Sequence, residues 1–372
     1  MCLKYKFDGF YLTLESRTYM THEFSNKQHI IFGAGLIGCY LGGVLTSLGY
    51  QASLVCRPNV KDKLKLGIKL TDYEHHQATV KKLQVISSER LITDCLHITK
   101  ADFLWLTVKC TGVEQAIADI APWINKNTVV LCCQNGLGSD NAVKQAYPDN
   151  LVLRVMVPFN VVELSPGHYH RGSEGMMTIE LIDSCHKMVT TLVTKLHTEL
   201  LPIKTTNDMN SLLWAKLQLN LGNSVNALAD IPVKAMLEQR GYRKVMALLM
   251  TELLQVADAL GITLPKVTSV SAHQIPMVLR LPNFIFKRVA NKMIAVDPNV
   301  RSSMWWDVSQ NKPTEIQHIN GSILKYAKTL NIACTANEKI IGLISQLSDD
   351  SCISAEQKPP ITAEKLLAWV SE

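Results

Sequence analysis

Two residues on one predicted helix carry the clearest chemical signal in the second half of the chain. In Trp214-Ala215-Lys216-Leu217-Gln218-Leu219-Asn220 the lysine and the asparagine stand four positions apart, so they share a face of an otherwise apolar helix. Ser224 continues that face, with a drift of roughly 40° per four residues. A lysine ammonium in a wet cleft stabilises negative charge growing on a carbonyl oxygen and can deliver the proton, while the asparagine holds the same oxygen or its neighbour. The same pair would also suit a helical interface from which the lysine stem reaches water. A second motif favours the enzyme reading.

That motif is Gly33-Ala34-Gly35-Leu36-Ile37-Gly38, a G-x-G-x-x-G between an apolar strand over 30–32 and a helix over 36–48. The first glycine permits the tight turn, the second lets the backbone approach a pyrophosphate, and the third lets helix and strand pack closely. The phosphates then meet the free N–H groups of the helix start. The second strand, over 52–56, ends in Val55-Cys56-Arg57 with Lys61, Lys63 and Lys65 behind it, where an NAD site usually carries an acidic residue. A guanidinium there can pair with a 2′-phosphate, so NADP is favoured over NAD.

The elements that must position these groups follow from periodicity. Strands over 103–108, 128–133 and 151–157 alternate with helices over 113–120 and 140–146, which predicts an α/β chain with a mostly parallel, doubly wound sheet. Pro166-Gly167 and Arg171-Gly172 mark turns between short strands, the last near 176–181, expected as an antiparallel extension of that sheet. Beyond about residue 207, the stretches 210–229, 240–260 and 313–330 are apolar at helical spacing. The expected organisation is an N-terminal extension over 1–28, an NADP-binding Rossmann-type domain over 29–206 and an all-helical substrate and catalytic domain over 207–348. A tail over 349–372 ends in a short helix that Thr362 can cap, and Met20 is an alternative start.

Composition narrows the classes. With 372 residues, 47% hydrophobic and 19% charged, the chain can bury the cores of two domains and is neither disordered nor collagen-like. A net charge of +6, spread along the length, suits anionic small molecules better than nucleic acid. Ten cysteines without a C-x-x-C pair read as free thiols of a reducing, cytoplasmic compartment. Residues 29–56 lack Asp, Glu, Lys and Arg, yet their glycines and polar residues favour a buried strand-helix-strand over a membrane span. His168 and His170 lack further ligands at metal spacing, so no metal site is expected; Trp305-Trp306 reads as packing, and Cys132-Cys133 as part of a buried strand.

These motifs, in this order, resemble the ketopantoate reductase family (2-dehydropantoate 2-reductase, ApbA/PanE type) from about His29 to Leu347. The resemblance implies NADPH-dependent reduction of ketopantoate to pantoate, on the route to pantothenate and coenzyme A, with Lys216 as general acid. It implies that the glycine loop and Arg57 bind the pyrophosphate and 2′-phosphate. Lys109, at the end of Leu106-Thr107-Val108-Lys109, and Asn135, in Gln134-Asn135-Gly136-Leu137-Gly138, would line the nicotinamide end and the substrate. Asn220 is similar to the partner asparagine of the catalytic lysine. Arg301-Ser302-Ser303-Met304, Asp307, Pro313-Thr314-Glu315-Ile316 and Asn320-Gly321 look like the signature of the helical domain. From it Arg301, Ser302 and Ser303 are expected at the substrate, Ser303 on its carboxylate, and Glu315 beside the lysine and the cofactor. Where the family usually has a second substrate asparagine, this chain has Ser224, flanked by Asn223 and Asn226. Substrate identity is therefore less determined than reaction type. A related reductase of another 2-oxoacid or 3-hydroxyacid and a non-catalytic NADPH sensor are the alternatives. The partner is a small 2-oxoacid, without nucleic acid or membrane, and a homodimer is left open.

Overall fold

The computed structural model describes residues 26–87, 99–290, 300–349 and 360–371. Most of the expected N-terminal extension, residues 350–359 of the tail, Met20, and Cys2, Cys95 and Cys352 lie outside them. The chain divides into two compact units. Among the described residues, one holds those up to 108 together with 112–134 and 140–207; the other holds 109–111, 135–139 and those from 208 on.

The first unit is built on an eight-stranded sheet. Its strands are β1 (Gln28–Phe32), β2 (Gln51–Cys56), β5 (Gln84–Ser87), β6 (Phe103–Leu106), β7 (Val129–Cys132), β8 (Leu151–Met156), β11 (Met177–Glu180) and β12 (Ile203–Thr206), in the order β12-β11-β8-β7-β6-β1-β2-β5. The six strands from β8 to β5 run parallel, and β11 turns antiparallel to β8. Alternation along each strand feeds two cores. Ile31, Trp105 and Leu131 face one side, with Cys39, Leu41 and Leu45 of helix α1 (Leu36–Ser47), whereas Ile30, Phe32, Leu104, Leu106 and Val130 face the other, with Val113 and Ile120 of α3 (Val113–Ile120). Burial on both faces explains why these strands read as apolar runs. The sheet order reverses between β1 and β6, the switch point outside whose carboxyl ends ligands bind in such folds.

The expected extension of one sheet is corrected. Of the short strands between residues 160 and 181 only β11 joins it; β9 (Val161–Ser165) and β10 (His168–Arg171) pair instead with β3 (Ile68–Asp72) and β4 (Gln77–Val80) in a second sheet, ordered β4-β3-β10-β9. A long-range ion pair accompanies this pairing. Asp72 and Arg171, 0% and 1% exposed, meet at 2.8 Å at the matched ends of parallel β3 and β10. Burial opposes the Asp72 charge, but hydrogen bonds from His76 and Arg171 outweigh it and hold the carboxyl below its ordinary range. The remaining helices of this unit are α2 (Pro58–Lys63), α4 (Asn141–Ala146) and α5 (His186–Leu196).

Every regular element described after β12 is helical: α6 (Met209–Asn220), α7 (Gly222–Ala229), α8 (Val233–Glu238), α9 (Arg240–Ala259), α10 (Gln274–Arg280), α11 (Asn283–Val289), α12 (Ser303–Ser309), α13 (Ile316–Leu330), α14 (Thr335–Asp349) and α15 (Ala363–Ser371). They share one core around α9, whose Val245, Leu249, Leu253 and Val256 are fully buried. α15 closes on it so tightly that a Cβ at Gly241 would lie 2.8 Å from that of Ala363. Two expected helices differ. The stretch 210–229 breaks at Leu221 into α6 and α7, and the stretch from Pro313 becomes helical only at Ile316. No described helix is long and apolar enough to cross a membrane.

Replacing Arg171 by leucine leaves the Asp72 carboxylate buried without its guanidinium partner, and is expected to lower unfolding free energy by about 3 kcal/mol in denaturant titrations. Because the folded-state value of Asp72 is depressed, its stabilisation is present above the ordinary carboxylate range and disappears as pH falls through the lowered value. Wild type should show that loss on acidification, and Arg171→Leu a smaller one.

Candidate active site

The glycine loop leaves β1 at the switch point. Gly33 has φ +110°, and a Cβ there would lie 2.7 Å from the Val108 nitrogen. At Gly38 a Cβ would meet the Gly33 carbonyl at 2.0 Å and the Thr107 hydroxyl at 2.6 Å. That hydroxyl donates to the Gly33 carbonyl at 2.6 Å, joining the loop to the end of β6. Gly35 is the opposite case: nothing lies within 4 Å of its missing Cβ, and it is the N-cap of α1 with no side chain bonded to the first turn. An open cradle over uncapped N–H groups of a 12-residue helix fits a pyrophosphate. Ala34 and Ile37 are half-buried against the core, while Leu36 is exposed. Arg57 is exposed in the N-cap position of α2, directly after β2. Of the lysines behind it, Lys63 pairs with Glu163 at 3.3 Å and Lys65 with Asp62 at 2.7 Å.

The ionisable residues expected at the site beyond Arg57 gather in the second unit, which takes in the short segments that follow β6 and β7 in sequence. Asp208 caps α6, its carboxylate accepting from the Ser211 N–H at 3.0 Å, and the helix buries Trp214, Ala215, Leu217 and Gln218 while Lys216 stays half-buried. The Lys216 ammonium donates to Asn135 Oδ1 at 2.8 Å, and Asn135 Nδ2 donates to Glu315 Oε2 at 3.2 Å. Glu315 is buried just before α13, and its other oxygen accepts from the Cys110 N–H at 3.0 Å. The Cys110 thiol donates to the Asn135 carbonyl at 2.8 Å. Lys109 is ion-paired with Asp307, a buried carboxylate on α12. Burial raises the Asp307 carboxyl above its ordinary range, with Lys109 partly offsetting the effect; burial and then the Glu315 charge push the Cys110 thiol upwards. Gly136, at φ +82°, brings the turn so close to α13 that a Cβ would lie 2.2 Å from the His318 carbonyl.

The other expected site residues lie on α6, α7 and α12 and in the segment before α12. Asn220 is half-buried at the end of α6. Ser224 is 0% exposed on α7 and its hydroxyl donates to the Leu221 carbonyl at 3.0 Å. Ser302 is spent as the cap of α12, accepting from the Trp305 N–H at 3.2 Å and donating to the Asn223 carbonyl at 3.1 Å, while its own N–H reaches Asn226 at 2.9 Å. Arg301 bonds Asp230 at 2.9 Å and lies 4.1 Å from the centre of the Trp305 ring, whose N–H donates to the same Asp230 oxygen. Ser303 is exposed as the first residue of α12. Cys110 carried no functional expectation and Asp307 no stated role; the one legible signal was that Cys110 follows Lys109 directly. His168 and His170 both bond the Thr71 hydroxyl at 2.9 Å. Asp72, Glu74 and His76 bring metal-type ligand atoms together, but Asp72 is engaged by Arg171 and His76.

Residues 29–184 match the family model described as ketopantoate reductase PanE/ApbA, and residues 208–348 the one described as its C terminal. The chain is 23% identical over 321 residues to a 2-dehydropantoate 2-reductase of Aquifex aeolicus (strain VF5), covering 85% of this chain and 95% of that one. Its fold aligns at TM-score 0.70 and 25% identity with a PanE/ApbA family ketopantoate reductase from Ralstonia eutropha JMP134, over 88% of this chain and all of the other. A D-mandelate dehydrogenase solved with NADH and anilino(oxo)acetate aligns at TM-score 0.70 and 20% identity, with 88% and 100% coverage, a likeness of fold alone.

The turn at Gly136 yields a paired test. Gly49 shares a positive φ, +83°, but nothing lies within 4 Å of its missing Cβ. Gly49→Ala should cost about 1–2 kcal/mol from backbone strain, and Gly136→Ala measurably more because the His318 carbonyl must move. Urea unfolding of the two variants checks the order.

Proposed function

The chain belongs to the ketopantoate reductase PanE/ApbA family, and from that premise we propose that it reduces 2-dehydropantoate to pantoate with NADPH. The observation that carries the reading is the hydrogen-bonded chain from Lys216 through Asn135 to Glu315. An ammonium held on a neutral amide that is itself tied to a carboxylate is aimed without losing its protons to a direct acceptor.

In this reading NADPH, when bound, supplies the hydride to the C2 carbonyl. The backbone at Gly33, Ala34, Gly35, Leu36, Ile37 and Gly38 receives the pyrophosphate, and Arg57 pairs with the 2′-phosphate. Lys109 and Asn135 act toward the nicotinamide end. Lys216 stabilises the growing alkoxide and hands its proton to that oxygen, with Asn220 one turn away holding the substrate. Ser303, whose side chain is exposed, is the group for the substrate carboxylate. Glu315, fixed by the Cys110 N–H, keeps Asn135 oriented.

A second reading, reduction of another 2-oxoacid by the same chemistry, is favoured by the burial of Ser224. Its hydroxyl proton is given to the Leu221 carbonyl where the family usually has an asparagine, which alters the pocket that selects the acid. The D-mandelate dehydrogenase neighbour has the same fold.

NADPH oxidation with ketopantoate and a panel of 2-oxoacids tests both. Ketopantoate preference, with Lys216→Ala lowering kcat roughly 10²- to 10⁴-fold while NADPH still binds, supports the proposal. Preference for another acid keeps the chemistry and changes the substrate. For the cofactor, Arg57→Ala should raise KM for NADPH roughly tenfold or more and leave that for NADH near wild type.

A further inference from the structure

We propose that Cys110 is a positioning residue for this reaction, holding Asn135 and Glu315 in the register that presents Lys216 to the oxoacid. The inference rests on the proposed role of Lys216 and goes beyond it. Cys110 is 5% exposed and opens the short 3₁₀ turn Cys110–Gly112. It grips both the amide that holds the lysine and the carboxylate behind that amide: its N–H donates to Glu315 Oε1 at 3.0 Å and its thiol to the Asn135 carbonyl at 2.8 Å. Asn135 Nδ2 then donates to Glu315 Oε2 at 3.2 Å, which closes a ring of three residues. In that ring the Asn135 main chain is anchored by the thiol and its side chain by Glu315, so the amide oxygen facing Lys216 has little freedom to swing. Burial and the Glu315 charge keep the thiol protonated, so it remains a donor through neutral pH.

The test uses the full chain. Cys110→Ala should lower kcat for oxoacid reduction roughly fivefold to tenfold, with NADPH KM within about twofold of wild type. Cys110→Ser, which keeps a donor, should restore most of that loss. On an Asn135→Ala background the Cys110→Ala effect should vanish, because the thiol acts through Asn135. Cys110→Val, which keeps the volume without the donor, replaces the alanine variant if that one does not fold. Equal impairment of the serine and alanine variants, additive effects with Asn135→Ala, or wild-type kcat in Cys110→Ala would each overturn the proposal. Lys216→Ala separates the levels: full activity there removes the reading of the site itself, while loss there with an unaffected Cys110→Ala removes only the role of Cys110.

Discussion

The arrangement depends on one amide. Asn135 stands between an ammonium and a buried carboxylate, accepting from Lys216 and donating to Glu315, and no other uncharged side chain of that length can do both. Its orientation is therefore assigned by chemistry, since a flipped amide would set donor against donor and acceptor against acceptor. Much of the surroundings serves that placement. The thiol of Cys110 anchors the Asn135 main chain, Gly136 lets the turn approach α13, and that approach places the turn beside Glu315 at the head of the helix.

The first unit solves a different problem by simpler means. A parallel sheet whose inner strands are buried on both faces leaves the strands' carboxyl ends as the place where backbone groups are available, and the order reversal between β1 and β6 opens that edge. Sterics then dictate the loop. Gly33 and Gly38 are packed against Val108, Thr107 and each other, so neither tolerates a side chain, whereas Gly35 faces open space. Two glycines of the motif are thus structural requirements of the loop, and the third is the one that leaves room for a ligand.

Buried charge recurs wherever segments distant in sequence must meet. Asp72 and Arg171 tie β3 to β10, Asp307 holds Lys109, and Glu315 collects N–H donors from Cys110 and Asn135. Each carboxylate would be costly alone and is instead supplied with donors. The consequence is specificity of partner. The Asp72 pair accompanies the second sheet that diverts β9 and β10, and the Lys109 pair links the segment after β6 to α12 within the second unit.

The sequence by itself determined the alternating strands and helices of the first part, the glycine loop at the start of α1, the helical second part, and the shared face of Lys216 and Asn220. All of these are local, because side-chain direction repeats every two residues in a strand and about every 3.6 in a helix. It also supplied Lys109, Asn135 and Glu315 through a family resemblance, though not their connections. Tertiary packing settled that the helix is interrupted at Leu221, that Ser224 is buried, that Ser302 is consumed as a cap, and that Cys110 and Asp307 join the cluster. Those outcomes join groups as much as 205 residues apart, as in the bond from Cys110 to Glu315. No periodicity reaches that far: the choice of partner rests on which buried donors and acceptors the packed chain brings within hydrogen-bonding distance.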